Sequence, residues 1–131
     1  QVAAGAVALS DGTVLFVKRA HAPGVDLRAI TGGRVKPGET LKDAAAREIL
    51  AETGIIIRPL EPIHVFDHIE RDDKGMLRFH YVIVDLMAEY VTGEPVAHDD
   101  ALEADFFAPE EIVPEGTSEA TLVLLKKIGF C

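Results

Sequence analysis

Cysteine is the scarcest chemistry in this chain: one residue, Cys131, in 131. With no second thiol among these residues an internal disulfide is excluded, and the expected setting is a reducing one, the cytoplasm. Positive charge is also short. Thirteen Lys and Arg face 22 Asp and Glu, for a net charge of −9. That balance argues against a DNA or RNA groove, which needs clustered cations to neutralise phosphates. Long apolar runs are missing too. None approaches the ~20 residues of a membrane span, and Val2 to Leu9 is short and lacks the basic flank and cleavage site of a signal peptide. Repeats, low-complexity tracts and linkers are absent, so one domain over residues 1–131 is expected, long enough to bury a core without a staple.

An acidic surface does not exclude small phosphorylated ligands, because bound divalent cations can supply positive charge locally. The search therefore turns to carboxylates. Val2 to Leu9 and Thr13 to Lys18 read as a hairpin across Ser10-Asp11-Gly12. A loop is expected over Ala22 to Asp26, and a short strand over Leu27 to Thr31. A helix is expected from about Thr40 to Thr53, with Thr40 as N-cap and Gly54 as its stop. Strands follow at Ile55 to Ile57, Ile63 to Ile69, Leu77 to Val91 and Ala104 to Phe107, with a turn at Asp72 to Gly75. A helical turn is expected at Pro109 to Ile112 and a closing helix at Ser118 to Ile128. Strands around a central helix, with a second helix at the end, suggest a mixed sheet flanked by helices.

The helix carries an anomaly. Leu41, Ala44, Ala45 and Ile49 form one apolar sector at about 100° per residue, and Glu48 and Glu52 fall inside it, roughly 40° apart. Carboxylates on a core-facing stripe are costly unless paired, hydrogen-bonded or bound to metal. Spacing alone leaves two readings open: a structural helix whose glutamates end on Arg47 or another base, or a cation site. Gly32, Gly33, Pro37 and Gly38 precede the helix and let the backbone pass close to a ligand.

Gly33, Glu39, Arg47, Glu48, Ile49, Glu52, Gly54 and Ile55 together resemble the Nudix signature, which runs Gly, five residues, Glu, seven residues, Arg-Glu, aliphatic, any, Glu-Glu, any, Gly, aliphatic. Ala51 departs from it, standing where the first glutamate of the pair belongs. The resemblance implies an α/β fold, an α/β/α sandwich around a mixed sheet. It also implies magnesium-dependent hydrolysis of a diphosphate linkage, with manganese as a possible substitute. Glu48 and Glu52 would be metal ligands with the Gly33 carbonyl, Arg47 would orient the glutamates, and Glu39 would brace the loop. The stretch Arg71 to Tyr81 is similar to the short ADP-ribose pyrophosphatase-like branch, so the implied substrate is ADP-ribose or a related nucleotide. A nucleoside triphosphate pyrophosphohydrolase, and a nucleotide sensor weakened by Ala51, are the alternatives. A homodimer is the implied assembly.

Outside the motif, Asp99, Asp100 and Glu103 are candidates for an added ligand, a base or a substrate contact, against the alternative of a solvated acidic loop. Arg19 and Arg28 flank the motif loop and suit phosphate contacts or surface ion pairs. His68, Arg71 and His80 read as exposed sheet polarity. Phe66, Phe79, Phe106 and Phe107 read as core.

Overall fold

Residues 1–21 and 24–131 are described in a computed structural model of the chain. Ala22 and Pro23 of the expected loop lie outside the described residues. Strands β1 (Val2–Ser10) and β2 (Thr13–Arg19) join through Asp11 and Gly12, both at positive φ (49° and 78°). That is the turn whose twist suits a two-residue hairpin.

The single strand expected near Leu27 is instead two pieces. β3 (Arg28–Ala29) pairs with β2, and β4 (Thr31–Arg34) pairs with β1. Helix α1 (Leu41–Thr53) follows as expected. Next, the two short strands anticipated after the helix prove to be one, β5 (Ile56–Arg71), antiparallel to β6 (Leu77–Thr92). Pro59 and Pro62 lack the N–H of a regular ladder, and the register shifts there without ending the strand. β7 (Ala101–Phe107) starts three residues earlier than the sequence suggests. A 3₁₀ turn at 109–111 and a second at 114–116 lead to helix α2 (Glu119–Lys127), capped by the Ser118 hydroxyl.

Among the described residues seven strands join one mixed sheet in the order β3-β2-β1-β6-β5, with β4 on β1 and β7 on β2. The β1–β6 pair is parallel and the others antiparallel. Alternation along the strands divides the core. Ala4, Ala6, Ala8, Leu15, Val84 and Leu86 pack with Ala44, Ala45 and Ile49 of α1. Val7, Val14 and Phe16 pack on the opposite face with Leu124 and Leu125 of α2. The expected α/β/α layering is therefore present. Phe106 and Phe107 pack against these clusters as expected. Phe66 and Phe79 belong to neither cluster and are half-buried, Phe79 on the part of β6 beyond its pairing with β1. His80 is exposed beside Asp67, 2.8 Å away.

One register row crosses the sheet in a way the core does not require. Gly32 of β4, Gly5 of β1, Asp85 of β6 and His64 of β5 are consecutive partners. Val84 and Leu86 face α1, so Asp85 between them faces α2, where it is only 4% exposed. Its carboxylate lies over Gly5; a Cβ at Gly5 would sit 2.6 Å from Oδ1. Burial pushes the Asp85 carboxyl up to about 6, from an ordinary value of 3.8.

The folded protein thus holds a proton on Asp85 that the unfolded chain releases between those two pH values. The group favours folding below the lower value, and that contribution is lost as pH rises through the upper one. Asp85→Asn removes the titration. The variant is expected to melt higher than wild type at about pH 8, by at most about 3 kcal/mol in stability, with the gap closing toward about pH 4. A gap independent of pH, measured by thermal melts across that range, contradicts this account.

Candidate active site

The loop before α1 is shaped by its own turn chemistry. Gly38 adopts φ 80°, and the Glu39 side chain accepts from the Lys36 amide at 3.0 Å. The Thr40 hydroxyl then caps α1 by accepting from the Asp43 amide at 3.1 Å. At the far end Gly54 takes the left-handed conformation (φ 72°) and donates to the Leu50 carbonyl at 3.0 Å. Between these caps α1 buries Ala44, Ala45, Ile49 and Thr53, and this fixes which way Glu48 and Glu52 point.

Arg47 ties the motif together. Its guanidinium donates twice to Glu39 (2.7 and 2.9 Å), once to Glu48 Oε1 (2.7 Å) and once to the Arg34 carbonyl (2.9 Å). The paired geometry is the strong form of an arginine–carboxylate contact. It holds the Glu39 carboxyl at about 2, well below its usual 4.5, with the Lys36 amide adding to the effect. Glu48 in turn lies against Gly33. A Cβ there would approach Glu48 Oε1 to 2.6 Å, so only glycine admits the carboxylate at that spot.

Glu52 is held differently, accepting a hydrogen bond from the Thr31 hydroxyl. Burial raises its pKa; the Thr31 bond opposes that, while the negative charges of Glu48 and Asp100 add to it. Thr31, Gly32, Arg19, His21, Asp100 and Glu52 line a cleft of about 300 Å³. Of the three acids suspected before β7, Asp100 reaches this cleft, its Oδ1 3.2 Å from His21 Nε2. Asp99 is exposed in the turn at φ 52° and is not among the lining residues. Glu103 lies in a neighbouring cavity of about 390 Å³, paired with Arg28 (3.3 Å) and Lys18 (3.8 Å). Arg28 also stacks over Phe107, 5.1 Å from the ring centroid. The structure therefore places Arg28 and Glu103 in a separate cavity and brings Asp100 and Arg19 to Glu52. Thr31 and His21 escaped the sequence reading. Thr31 had a usable signal, since it faces the same side of a strand as Gly33 two residues on.

The donor set suits a hard divalent cation. Such an ion takes oxygen ligands, with one or two carboxylates supplemented by water and substrate phosphates. Glu48 and Glu52 provide two carboxylates one helical turn apart, and the crowding of Glu52 by other negative charge is what a cation would relieve. Among the described residues no three His, Cys, Asp or Glu side chains converge on one point. The protein could supply two carboxylates and backbone oxygen to such an ion. Ala51, where a further glutamate would stand, is exposed.

The NUDIX domain family model matches residues 1–126. An ADP-ribose pyrophosphatase of Methanocaldococcus jannaschii is 35% identical over 106 residues, covering 81% of this chain and 60% of that protein. A putative 8-oxo-dGTP diphosphatase of Bacillus subtilis is 42% identical over 66 residues, half of this chain and 42% of that one. The chain thus spans less than two thirds of the curated relatives it matches. A MutT NUDIX hydrolase crystal structure from Burkholderia pseudomallei superposes with a TM-score of 0.82 at 29% identity, covering 98% of this chain and 97% of that one.

Replacing the planar fork by a point charge tests the clamp. In Arg47→Lys the Glu39 carboxyl is expected to titrate clearly above about 2, part of the way back to its ordinary 4.5, because the Lys36 amide bond remains. Side-chain carboxyl NMR resolves the two values. An unchanged Glu39 titration would show that Arg47 is not what holds it.

Proposed function

The chain belongs to the NUDIX domain family, and from that membership and the geometry of α1 we propose that it hydrolyses a diphosphate linkage in a nucleoside diphosphate derivative. ADP-ribose is the leading substrate and Mg²⁺ the cofactor, with Mn²⁺ able to substitute. The observation that carries this reading is Glu48 packed on the bare backbone of Gly33, with Glu52 in the adjoining cleft. The 35% identity to a protein named ADP-ribose pyrophosphatase supports the substrate.

In this reading Glu48, Glu52 and the Gly33 carbonyl hold the cation. Bound there, it supplies positive charge to the diphosphate and makes a nearby water more acidic. The remaining work belongs to the chain's own residues. Arg47 fixes the Glu48 rotamer from one side while Glu39 and the Arg34 carbonyl fix Arg47 from the other. Thr31 holds Glu52 so that its charge faces the cleft. Arg19 lines the same cleft and offers a cation to the substrate phosphates, and Asp100 is placed to accept a proton from the attacking water. Water adds across one P–O–P bridge, the anhydride P–O bond breaks, and ADP-ribose yields AMP and ribose 5-phosphate.

One observation favours a second reading. The identity to a putative 8-oxo-dGTP diphosphatase, 42% over half the chain, suits a nucleoside triphosphate substrate with release of pyrophosphate.

Steady-state kinetics on both substrate classes decides between them. A higher kcat/KM for ADP-ribose supports the first reading, and a clear preference for triphosphates overturns the substrate while keeping the chemistry. Glu52→Gln and Glu48→Gln are each expected to lower kcat by roughly 100-fold or more, since they remove charge that acts on the transition state. Near wild-type turnover in both variants would sink the assignment. Ala51→Glu adds an oxygen ligand at an exposed position that tolerates it, and is expected to lower the Mg²⁺ concentration needed for half-maximal rate. An unchanged requirement would mean that position 51 lies outside the cation's reach.

A further inference from the structure

The outer half of the β5–β6 hairpin carries apolar surface that neither the core nor the candidate site accounts for. Val65 and Ile69 of β5 are 59% and 49% exposed, two alternate positions on one face of the strand. Met76 and Leu77, at the hairpin tip, are exposed as well, and none of the four belongs to either core cluster. On the opposite face Phe66, His68, Phe79 and Tyr81 are half-buried. There His68 and Tyr81 both contact Phe79, with ring centroids 5.6 and 5.2 Å apart.

The strand that bears this surface is also an edge. Among the described residues β5 pairs only with β6, so its other side is a row of backbone donors and acceptors with no strand beside it. Its first half is blunted against pairing, by Pro59 and Pro62, which lack an N–H, and by the charges of Arg58 and Glu61. The outer half has no such protection. Between the register shifts at Pro62 and Arg71, the run from His64 to Glu70 keeps an unbroken register and contains no proline.

We propose that two copies of this chain associate through β5, antiparallel and in register about Asp67, so that the sheet continues across the interface. A two-fold axis makes such a contact self-complementary, and only the residue at its centre is free to vary. Asp67 is the middle of the unbroken run, so this centre gives every residue from His64 to Glu70 a partner. Val65 of one copy then lies opposite Ile69 of the other, which covers the exposed apolar pair on one face. On the other face Phe66 lies opposite His68 and joins the two aromatic groups. His64 lies opposite Glu70, and the Lys127 amine, 3.0 Å from His64 Nδ1, adds positive charge beside that carboxylate. Moving the centre by one residue either way sets Val65 or Ile69 against Asp67 and loses the apolar pairs. The one like-charged pair, Asp67 against itself, is moderated by His80, 2.8 Å from Asp67 within each copy. No residue of β5 lines the candidate cleft, so the association leaves that cleft open.

The test is analytical sedimentation of the chain at about 100 µM in roughly 0.15 M salt, where repulsion between copies of net charge −9 is screened beyond about 8 Å. A dimer is expected. Val65→Lys and Ile69→Lys each place an ammonium in the pairing and are expected to weaken it about 10-fold or more. Val123→Lys, at an exposed position on α2, is expected to leave it unchanged, and circular dichroism checks that each variant folds. Register is read separately, in a Cys131→Ser background. Directly opposed residues lie about 4.5–5.5 Å apart between Cα atoms, within reach of a disulfide, so Asp67→Cys is expected to link to its own copy on mild oxidation. Val65→Cys alone is not, because the two copies of that position lie four residues apart along the pair, about 13 Å. Mixed with Ile69→Cys, it links. A chain that sediments as a monomer, a dimer that survives both lysines, or self-linking of Val65→Cys and not of Asp67→Cys overturns the proposal.

Discussion

A carboxylate turned toward a protein core gives up several kcal/mol of hydration, and α1 turns two of them that way. The rest of the site follows from how that cost is met. Glu48 is neutralised by Arg47, which is itself held by Glu39 and the Arg34 carbonyl, so a loop and a helix are locked to each other through one guanidinium. Glu52 accepts from the Thr31 hydroxyl, with the positive charge of Arg19 also favouring its ionised form, and is crowded by the like charge of Glu48 and Asp100. That asymmetry divides the labour. One glutamate is positioned by the protein, and the other is left with a charge that a cation can satisfy.

Glycine sets the geometry on both sides of this arrangement. At Gly33 the missing side chain admits the Glu48 carboxylate, and at Gly5 it admits that of Asp85 on the opposite face of the sheet. A methyl group at either place would collide with a carboxylate oxygen. The sheet therefore carries acidic groups against both faces, those of α1 on one and Asp85 on the other. The candidate site lies at the β4 edge because, among the described residues, that strand has one neighbour and its other side is accessible.

How much of this was legible depended on the range of the interaction. The α1 boundaries follow from Thr40 and Gly54 alone, local signals with a local cause, and both caps form. The inward direction of Glu48 and Glu52 follows from helical periodicity. What required the third dimension was pairing. Nothing near Leu27 to Thr31 says that the chain changes partner from β2 to β1 at Ile30, and two prolines hid the continuity of β5. The acids before β7 looked alike in sequence; only the path of the loop, with His98 donating to the Glu52 carbonyl at 2.9 Å, brings Asp100 rather than Asp99 or Glu103 to the cleft. Phe66 and Phe79 read as core from residue type alone, which does not say whether a second layer covers that part of the sheet. Asp85 had a signal that deserved more weight: one acid in the aliphatic run from Val82 to Met87.

The central claim is that Glu48, Glu52 and the backbone at Gly33 are arranged for a divalent cation. Anomalous diffraction from crystals soaked in Mn²⁺ tests it most directly. The account predicts a single strong peak between the two carboxylates and the Gly33 carbonyl, at ligand distances of about 2.0–2.3 Å. An empty site, with Glu48 still on Arg47 and Glu52 still on Thr31 at saturating Mn²⁺, would contradict it.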